Sequence, residues 1–246
     1  MRVLVTRPEP DAGKTAAALI AGGHEPVVVP LLSIRNCAAA ARPLEQALPG
    51  AQGVVFTSAN GVRAFAALNP QRAVPVFAVG PASAAAARAA GFAHVHEGAG
   101  DSRSLRAAIV RHCDPAAGPL VHPAATHLSV RGAGALKAGL EACGFSLVRV
   151  VIYEARAAAG LPPNLVAHLR PHSASMLDAA LFYSPRSAAL FCDLVSRAAL
   201  APSCAGLRAL CLSPSVAEAL APLVFTSVDV APMSNEQALL GMLGCV

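Results

Sequence analysis

The chain has 246 residues, of which 55% are hydrophobic and only 13% charged, and its formal net charge is +5. No apolar run approaches the ~18 residues that a membrane-spanning helix needs, and the arginines are spread along the chain rather than clustered as in nucleic-acid-binding proteins. We therefore expect a cytoplasmic protein that binds neither nucleic acid nor membrane and whose mild positive balance suits a small acidic ligand.

Metal and cofactor motifs are absent from the sequence. The seven cysteines include no Cys-x-x-Cys pair, which argues against a disulfide framework and against a structural zinc site. His94 and His96 lie two positions apart, but no carboxylate or cysteine follows at ligand spacing, so packed or solvated histidines are favoured over a metal site. The glycine motifs of nucleotide-binding folds and the Gly-x-Ser-x-Gly of hydrolases are also missing. These absences disfavour a structural zinc site, a metal-binding histidine pair and nucleotide cofactors.

Strand and helix patterns alternate from the N-terminus onward. Residues 3–6 predict a buried strand, and the helix that begins near Asp11 is expected to end at Gly22 and Gly23. Further extended segments are predicted over 27–29, 31–34, 54–57, 76–79, 93–95, 119–122, 149–155, 180–183, 209–212 and 228–230. Strands that alternate with helices indicate an α/β fold with mostly parallel sheets.

One sequence motif, a strand followed by a serine and then a helix, occurs twice in the chain. A buried strand runs into Ser58, and a second one runs into Ser184, each followed by a helix with apolar residues at i, i+3 and i+4. The serine stands where a helix N-cap belongs, and Pro185 then occupies a first helical position. Free backbone N–H groups and a hydroxyl at such a junction are suited to binding an anion.

Four units recur in the same order in the two halves of the chain. The pairs are residues 3–8 with 119–123, Ser58 with Ser184, Gly80-Pro81 with Ser213-Pro214, and the segment at Ser102 with the segment at Ser234, where Ser234 and Gln237 are spaced as a capping box. This order indicates an old duplication. We predict two similar lobes, each a mostly parallel sheet flanked by helices, joined by a two-stranded connector with a cleft between them.

Candidate binding residues fall at the carboxyl ends of the predicted strands, where parallel sheets bind their ligands. They are Arg7, Thr57, Ser58, Asn60, Gly80, Ser184, Ser187, Ser213 and Ser215. An alternative stays open for each kind. The serines can be helix caps alone, each contributing ~1 kcal/mol to stability, and Arg7 can be simply solvated.

These motifs together resemble the uroporphyrinogen-III synthase family over essentially the whole chain. The residues that carry the resemblance are 5–8, 56–62, 79–81, 151–154, 182–185 and 213–217. The resemblance implies a first lobe of residues 1–34 and 156–246, a second lobe of residues 37–149, and connectors at 35–36 and 150–155. It also implies conversion of the linear tetrapyrrole hydroxymethylbilane into uroporphyrinogen III, with loss of water and inversion of ring D through a spiro intermediate. The resemblance further implies that the reaction uses no metal and no organic cofactor.

The resemblance assigns proton donation to the leaving hydroxyl to Tyr153. A tyrosine with a free pKa of ~10 is protonated at neutral pH and can serve, although Tyr153 can also be a half-buried strand residue. The resemblance further implies a monomer that makes a transient contact with the preceding bilane-forming enzyme.

The sequence departs from the family pattern at two junctions. It has Ser213-Pro214 where many members carry Gly-Pro, and His122-Pro123 where many carry Arg-Gly, with Arg131-Gly132 only further on. Backbone donors at these positions would survive the substitutions.

Two other classes of function compete with the synthase. One is a non-catalytic, two-lobed binding or regulatory module for an anionic tetrapyrrole or a similar small molecule. The other is a cofactor-dependent α/β enzyme, which the missing glycine motifs disfavour. Tyr153 and the whole-chain resemblance favour the cofactor-independent enzyme.

Overall fold

The computed structural model describes residues 1–126, 134–170 and 176–244, so Arg131 and Gly132 lie outside the described residues. The strands are β1 (Arg2–Val5), β2 (Glu25–Val28), β3 (Leu32–Asn36), β4 (Gly53–Phe56), β5 (Val76–Ala78), β6 (Val95–Glu97), β7 (Leu120–Ala125), β8 (Leu147–Ala157), β9 (Ala179–Phe182), β10 (Arg208–Cys211) and β11 (Ser227–Val230). The α-helices are α1 (Asp11–Ala21), α2 (Ala41–Ala47), α3 (Ala59–Leu68), α4 (Pro81–Ala89), α5 (Ser102–His112), α6 (Ala135–Glu141), α7 (Pro163–Leu169), α8 (Pro185–Arg197), α9 (Pro214–Glu218) and α10 (Glu236–Gly241). Short 3-10 helices cover Ala38–Ala40 and Ala201–Gly206.

The chain divides into two compact units, the first made of Met1–Ser33 with Arg156–Val246 and the second of Ile34–Ala155. The first unit contains a five-stranded sheet in the order β11-β10-β9-β1-β2, whose neighbouring strands are parallel. The second contains a six-stranded sheet in the order β3-β8-β7-β4-β5-β6, parallel from β8 to β6. The predicted fold class, two similar lobes with mostly parallel sheets flanked by helices, is confirmed.

The two sheets share one strand order once β3 is set aside. Read from β2, the first sheet runs β2-β1-β9-β10-β11, and the second runs β8-β7-β4-β5-β6. The strand that leads into Ser184 therefore occupies the same central place as the strand that leads into Ser58. This correspondence is what the repeated order of sequence units predicted, and it supports their origin by duplication.

Each sheet is buried on both faces, as parallel sheets are. In the second unit, β4 alternates between two cores, with Val54 and Phe56 in one and Val55 in the other. The first core contains three phenylalanines that pack edge to face or tilted, namely Phe56, Phe65 and Phe92.

One predicted cap is wrong by a single residue. The last helix, α10, is capped by Asn235, whose side-chain oxygen accepts a hydrogen bond from the backbone N–H of Ala238 at 2.8 Å. The predicted capping box placed the cap at Ser234. Asparagine caps as well as serine does, and Asn235 has the extended backbone that a cap requires, so the helix begins at Glu236.

Cysteines in the described parts of the chain are free thiols. Burial raises the pKa of Cys192 to about 11 and the pKa of Cys204 to about 12. Such thiols stay protonated at neutral pH and pack as small apolar groups. No helix in the described ranges is long and apolar enough to cross a membrane.

Candidate functional site

The junction between β4 and α3 has the geometry that the sequence predicted for it. Ser58 has an extended backbone and its Oγ accepts a hydrogen bond from the backbone N–H of Asn60 at 3.1 Å. The side-chain oxygen of Asn60 accepts a hydrogen bond from Arg63 at 2.5 Å. A helix of ten residues thus begins with its positive end at the carboxyl edge of the second sheet.

Tyr153 lies in β8 beside this junction, and its side chain is only 7% exposed. A register shift against β7 pairs Ala124 with Val151 but Ala125 with Tyr153, so Ile152 is an extra residue in β8. Such a bulge turns the following side chain, and Tyr153 packs in the same core as Ile152. Strict alternation would have placed Tyr153 on the face of Val151.

The absence of a side chain at Gly61 lets the ring of Tyr153 pack against α3. A Cβ added to Gly61 would lie 3.7 Å from Cε1 of Tyr153 and 3.3 Å from the carbonyl oxygen of Pro123. The bare backbone of the first helical turn therefore approaches both β7 and the ring. This contact brings Tyr153 and the Ser58 junction together within the second unit.

Thr57 is exposed and follows β4 directly. Its Oγ1 lies 3.2 Å from Nε2 of His122, a residue of β7 that is only 2% exposed. His122 in turn pairs in register with Arg149 of β8. Burial, and then the charge of Arg149, lowers the pKa of His122 to about 4, so the imidazole is neutral at physiological pH.

Gly80 is the N-cap of α4, shortly after β5, and has an extended backbone. A Cβ there would lie 3.0 Å from Cα of Gly100 and 3.3 Å from its nitrogen. Two backbone segments therefore meet closely at this strand end. The missing side chain of Gly80 allows this close approach of the two backbone segments. The position can offer a ligand only backbone groups.

In the first unit, Ser184 stands at the equivalent of Ser58. Its Oγ accepts a hydrogen bond from the backbone N–H of Ser187 at 3.2 Å and donates one to Oγ of Ser187 at 3.0 Å. Ser187 is 3% exposed, so its hydroxyl is a partner of the cap. Pro185 occupies the first helical position, as predicted.

Ser213 stands at the start of α9 but makes no capping hydrogen bond through its side chain. Its Oγ lies 3.0 Å from Oγ of Ser215 instead. The helix is only five residues long, and Pro214 already satisfies the first helical position. Of the three predicted serine caps, Ser58 and Ser184 cap their helices and Ser213 does not.

Arg7 belongs to a polar network at the carboxyl end of β1. Its Nη1 lies 2.9 Å from Oε1 of Glu236, its Nη2 lies 3.5 Å from Oδ2 of Asp11, and its guanidinium stacks 4.0 Å from the centre of the Tyr183 ring. The hydroxyl groups of Thr15 and Tyr183 donate to the same oxygen of Glu236, at 2.5 and 3.0 Å. Burial and the carboxylate of Glu236 raise the pKa of Tyr183 well above its usual value. Arg7 is thus paired and held in place.

Three polar residues that belong to the contacts just described were not among the predicted site residues, namely His122, Arg149 and Glu236. The departure of His122 from the family pattern was the signal available for it. His96, considered above as one of a metal-binding pair, stacks on Phe77 and packs at a tilted angle against the ring of His112. The described ranges contain no group of three or more His, Cys, Asp or Glu residues placed to hold a metal ion.

A surface groove of about 610 Å³ lies on the second unit. It runs between the segment that contains α2 and the first half of β8, and its lining includes Cys37, Pro43, Gln46, Val148 and Arg149. None of the predicted site residues lines it. Arg149, the cross-strand partner of His122, lines this groove, whereas the predicted site residues lie at the strand ends.

The fold and the strand-end junctions define the class: an α/β protein with two related parallel sheets, each presenting capped helix N-termini at its carboxyl edge. The family model described as Uroporphyrinogen-III synthase HemD matches residues 13–241. The chain belongs to the uroporphyrinogen-III synthase family and is accordingly an enzyme of tetrapyrrole biosynthesis.

Solved structures agree with this fold. Uroporphyrinogen-III synthetase from Helicobacter pylori is 16% identical, with a TM-score of 0.60 over 99% of this chain and 98% of that chain. A mutant uroporphyrinogen III synthase from the extremely thermophilic bacterium Thermus thermophilus is 19% identical, with a TM-score of 0.54 over 99% of this chain and 96% of that chain. A search of the curated proteins found no match. At these identities the likeness supports the fold, and the family match supports the function.

Proposed function

We propose that this chain cyclises hydroxymethylbilane to uroporphyrinogen III, with Tyr153 as the proton donor and the strand-end junctions of the two units as ligands of the substrate carboxylates. The observation that carries the proposal is the packing of Tyr153 against the first turn of α3. It joins the one residue that the family resemblance marks for catalysis to a helix N-terminus suited to a carboxylate.

The substrate is a flexible chain with eight carboxylates, and the enzyme has to fold it with its ends together. Holding two reacting ends close supplies several kcal/mol, by analogy with effective molarities that correspond to ~7–11 kcal/mol. Capped helix N-termini and hydroxyls provide partial positive charge for the carboxylates. The proposed ligands are Arg7, Thr57, Ser58, Asn60, Gly80, Ser184, Ser187, Ser213 and Ser215.

These ligands differ in how they would act. Thr57 is exposed and presents a hydroxyl, whereas Gly80 presents only backbone. Ser58 already accepts a hydrogen bond from its helix, which leaves its hydroxyl hydrogen as a donor. The hydroxyl hydrogen of Ser184 is already donated to Oγ of Ser187, so Ser184 would have to exchange that partner to bind a carboxylate. Arg7 is paired with Glu236, so it would bind a substrate carboxylate by exchanging or sharing that partner.

The first chemical step is departure of the terminal hydroxyl, whose oxygen takes a proton as the C–O bond breaks and leaves as water. The phenolic O–H of Tyr153 suits that transfer, because a phenol is protonated at neutral pH. The family resemblance supplies the rest: the substituted carbon of ring D attacks the new electrophile, and the spiro intermediate breaks and recloses with that ring inverted. The bulge at Ile152 and the contact with Gly61 hold the ring of Tyr153 in a fixed direction.

The test is an isomer analysis. Hydroxymethylbilane is given to the purified protein without metal or cofactor, the products are oxidised, and type I and type III uroporphyrins are separated. Predominantly type III product supports the proposal, whereas type I alone, the product of unassisted closure, overturns it. The variant Tyr153→Phe should lose a factor of about 10² to 10⁴ in kcat with its fold retained. Tyr183→Phe, which removes the other tyrosine hydroxyl, is the matched comparison and should lose far less.

We also propose that the protein works as a monomer in the cytoplasm and contacts the preceding bilane-forming enzyme transiently. The family resemblance supports this arrangement, in which an unstable substrate passes quickly to the synthase. Light scattering on the purified chain should give a mass near 24.8 kDa. A stable dimer would contradict the proposed monomer without affecting the isomer test.

A further inference from the structure

A row of polar side chains crosses three neighbouring strands of the second sheet. Thr57 follows β4, His122 lies in β7 and Arg149 lies in β8, and these strands are adjacent in the order β8-β7-β4. The two residues differ sharply in exposure: Thr57 is exposed, whereas His122 is only 2% exposed. The imidazole therefore contacts the threonine hydroxyl from the buried side, and His122 itself is not accessible to a ligand.

The hydrogen bond between Nε2 of His122 and Oγ1 of Thr57 decides what the hydroxyl offers to a ligand. A neutral imidazole has one nitrogen that donates and one that accepts. If Nε2 carries the hydrogen, it donates to Oγ1 and leaves the threonine hydrogen free for a carboxylate. If Nε2 is bare, it takes the threonine hydrogen and turns an oxygen lone pair toward the ligand, which repels a carboxylate.

We propose that His122 is a positioning residue that donates from Nε2 to Thr57 and so directs the Thr57 hydroxyl hydrogen toward a carboxylate of the substrate. The inference rests on the proposed function, which supplies the carboxylate, and the assigned tautomer is the one that leaves the Thr57 hydrogen free for it. Arg149 favours the neutral imidazole, because a second positive charge beside its guanidinium in a buried site is costly. Arg149 is held in turn by hydrogen bonds from Nη2 to the carbonyl oxygens of Ala125 and Thr126.

A double-mutant cycle on the full chain tests the coupling. Thr57→Val removes the exposed hydroxyl at constant shape, and His122→Leu removes its support. Each should raise KM about 10-fold with kcat nearly unchanged, as the loss of a hydrogen bond made equally to substrate and transition state does. The double variant should raise KM about 10-fold as well, because the second change removes nothing further. An additive rise of about 100-fold would overturn the proposal.

Conservative variants separate positioning from a purely structural role. In His122→Gln the amide N–H₂ reaches about as far as Nε2, so this variant should restore KM to within about twofold of the wild-type value. In His122→Asn the amide is too short, and KM should stay raised even though the residue remains polar. Equal KM values for the Gln and Asn variants would contradict the proposal, and this comparison serves also if His122→Leu does not fold.

The tautomer of His122 can be determined without measuring enzymatic activity. Protein labelled with ¹⁵N in histidine should show His122 protonated at Nε2 in long-range ¹H–¹⁵N correlation spectra, with the signal assigned by its loss in His122→Gln. Protonation at Nδ1 alone would overturn the inference whatever the activity. If the wild-type protein formed only the type I isomer, the proposed function would be wrong, but the spectroscopic result on the tautomer of His122 would still stand.

Discussion

His122 and Arg149 are cross-strand partners on β7 and β8, and burial next to this arginine keeps the imidazole uncharged. The pKa of His122 falls from 6.5 to about 4 on folding. Between those values the unfolded chain binds more protons, so stability is fully present above pH 6.5 and is lost as the pH falls toward 4. The loss attributable to His122 should reach about 3 kcal/mol at pH 4 and about 2 kcal/mol at pH 5.

Urea unfolding at pH 7, 6 and 5 measures this dependence. The matched control is His122→Gln, which keeps a polar group at the position but cannot be protonated there, while the other histidines stay in place. The variant should lose less stability than the wild type on going from pH 7 to pH 5, by about 2 kcal/mol. Parallel curves for the two proteins would show that His122 is not the group that titrates.

The three junction serines should separate into two groups by stability. Ser58→Ala and Ser184→Ala each remove a side chain that accepts from a helix N–H, so each should cost about 1 kcal/mol of unfolding free energy. Ser213→Ala removes no cap and should change stability by less than about 0.5 kcal/mol. Thermal or urea unfolding of the three variants at one pH tests the ranking, and a loss in Ser213→Ala equal to the others would contradict it.

Local sequence signals predicted the framework of the site well. The caps at Ser58 and Ser184 depend on residues two or three positions away, and the duplication is visible because the same local units recur in order. Contacts between distant residues were not accessible. Thr57 meets His122 across 65 positions, and Arg7 meets Glu236 across 229, through strand order and helix placement that no short window encodes.

The orientation of Tyr153 shows a second limit of sequence patterns. Alternation in a strand assigns Tyr153 to the face of Val151, and only the bulge at Ile152 moves it to the core that contains α3. A one-residue insertion of this kind leaves no mark in a period-2 pattern. The same ambiguity of one residue accounts for the wrong cap at Ser234, because two good capping residues stand side by side there.

Gly80 should tolerate no side chain. An added Cβ would lie 3.0 Å from Cα of Gly100, a backbone atom that cannot rotate away, so Gly80→Ala should cost about 1–3 kcal/mol. Gly160→Ala is the matched control, since nothing lies within 4 Å of its added Cβ and its φ is not in the left-handed region. Unfolding free energies of the two variants test the difference, and an equal effect in both would refute the close approach.

Glu236 should act as the common acceptor of the Arg7 network. Tyr183→Phe keeps the ring that stacks on Arg7 but removes a donor to the carboxylate, and should cost about 1.5–3 kcal/mol, the range for a hydrogen bond to a charged group. Glu236→Ala removes the acceptor for Tyr183 and Thr15 together and breaks the ion pair with Arg7. If the two side chains depend on one another, the double variant should be less destabilised than the sum of the single variants by about 1 kcal/mol. Strict additivity in urea unfolding would show instead that Tyr183 is stabilised by its apolar packing, and that its hydroxyl gains nothing from Glu236.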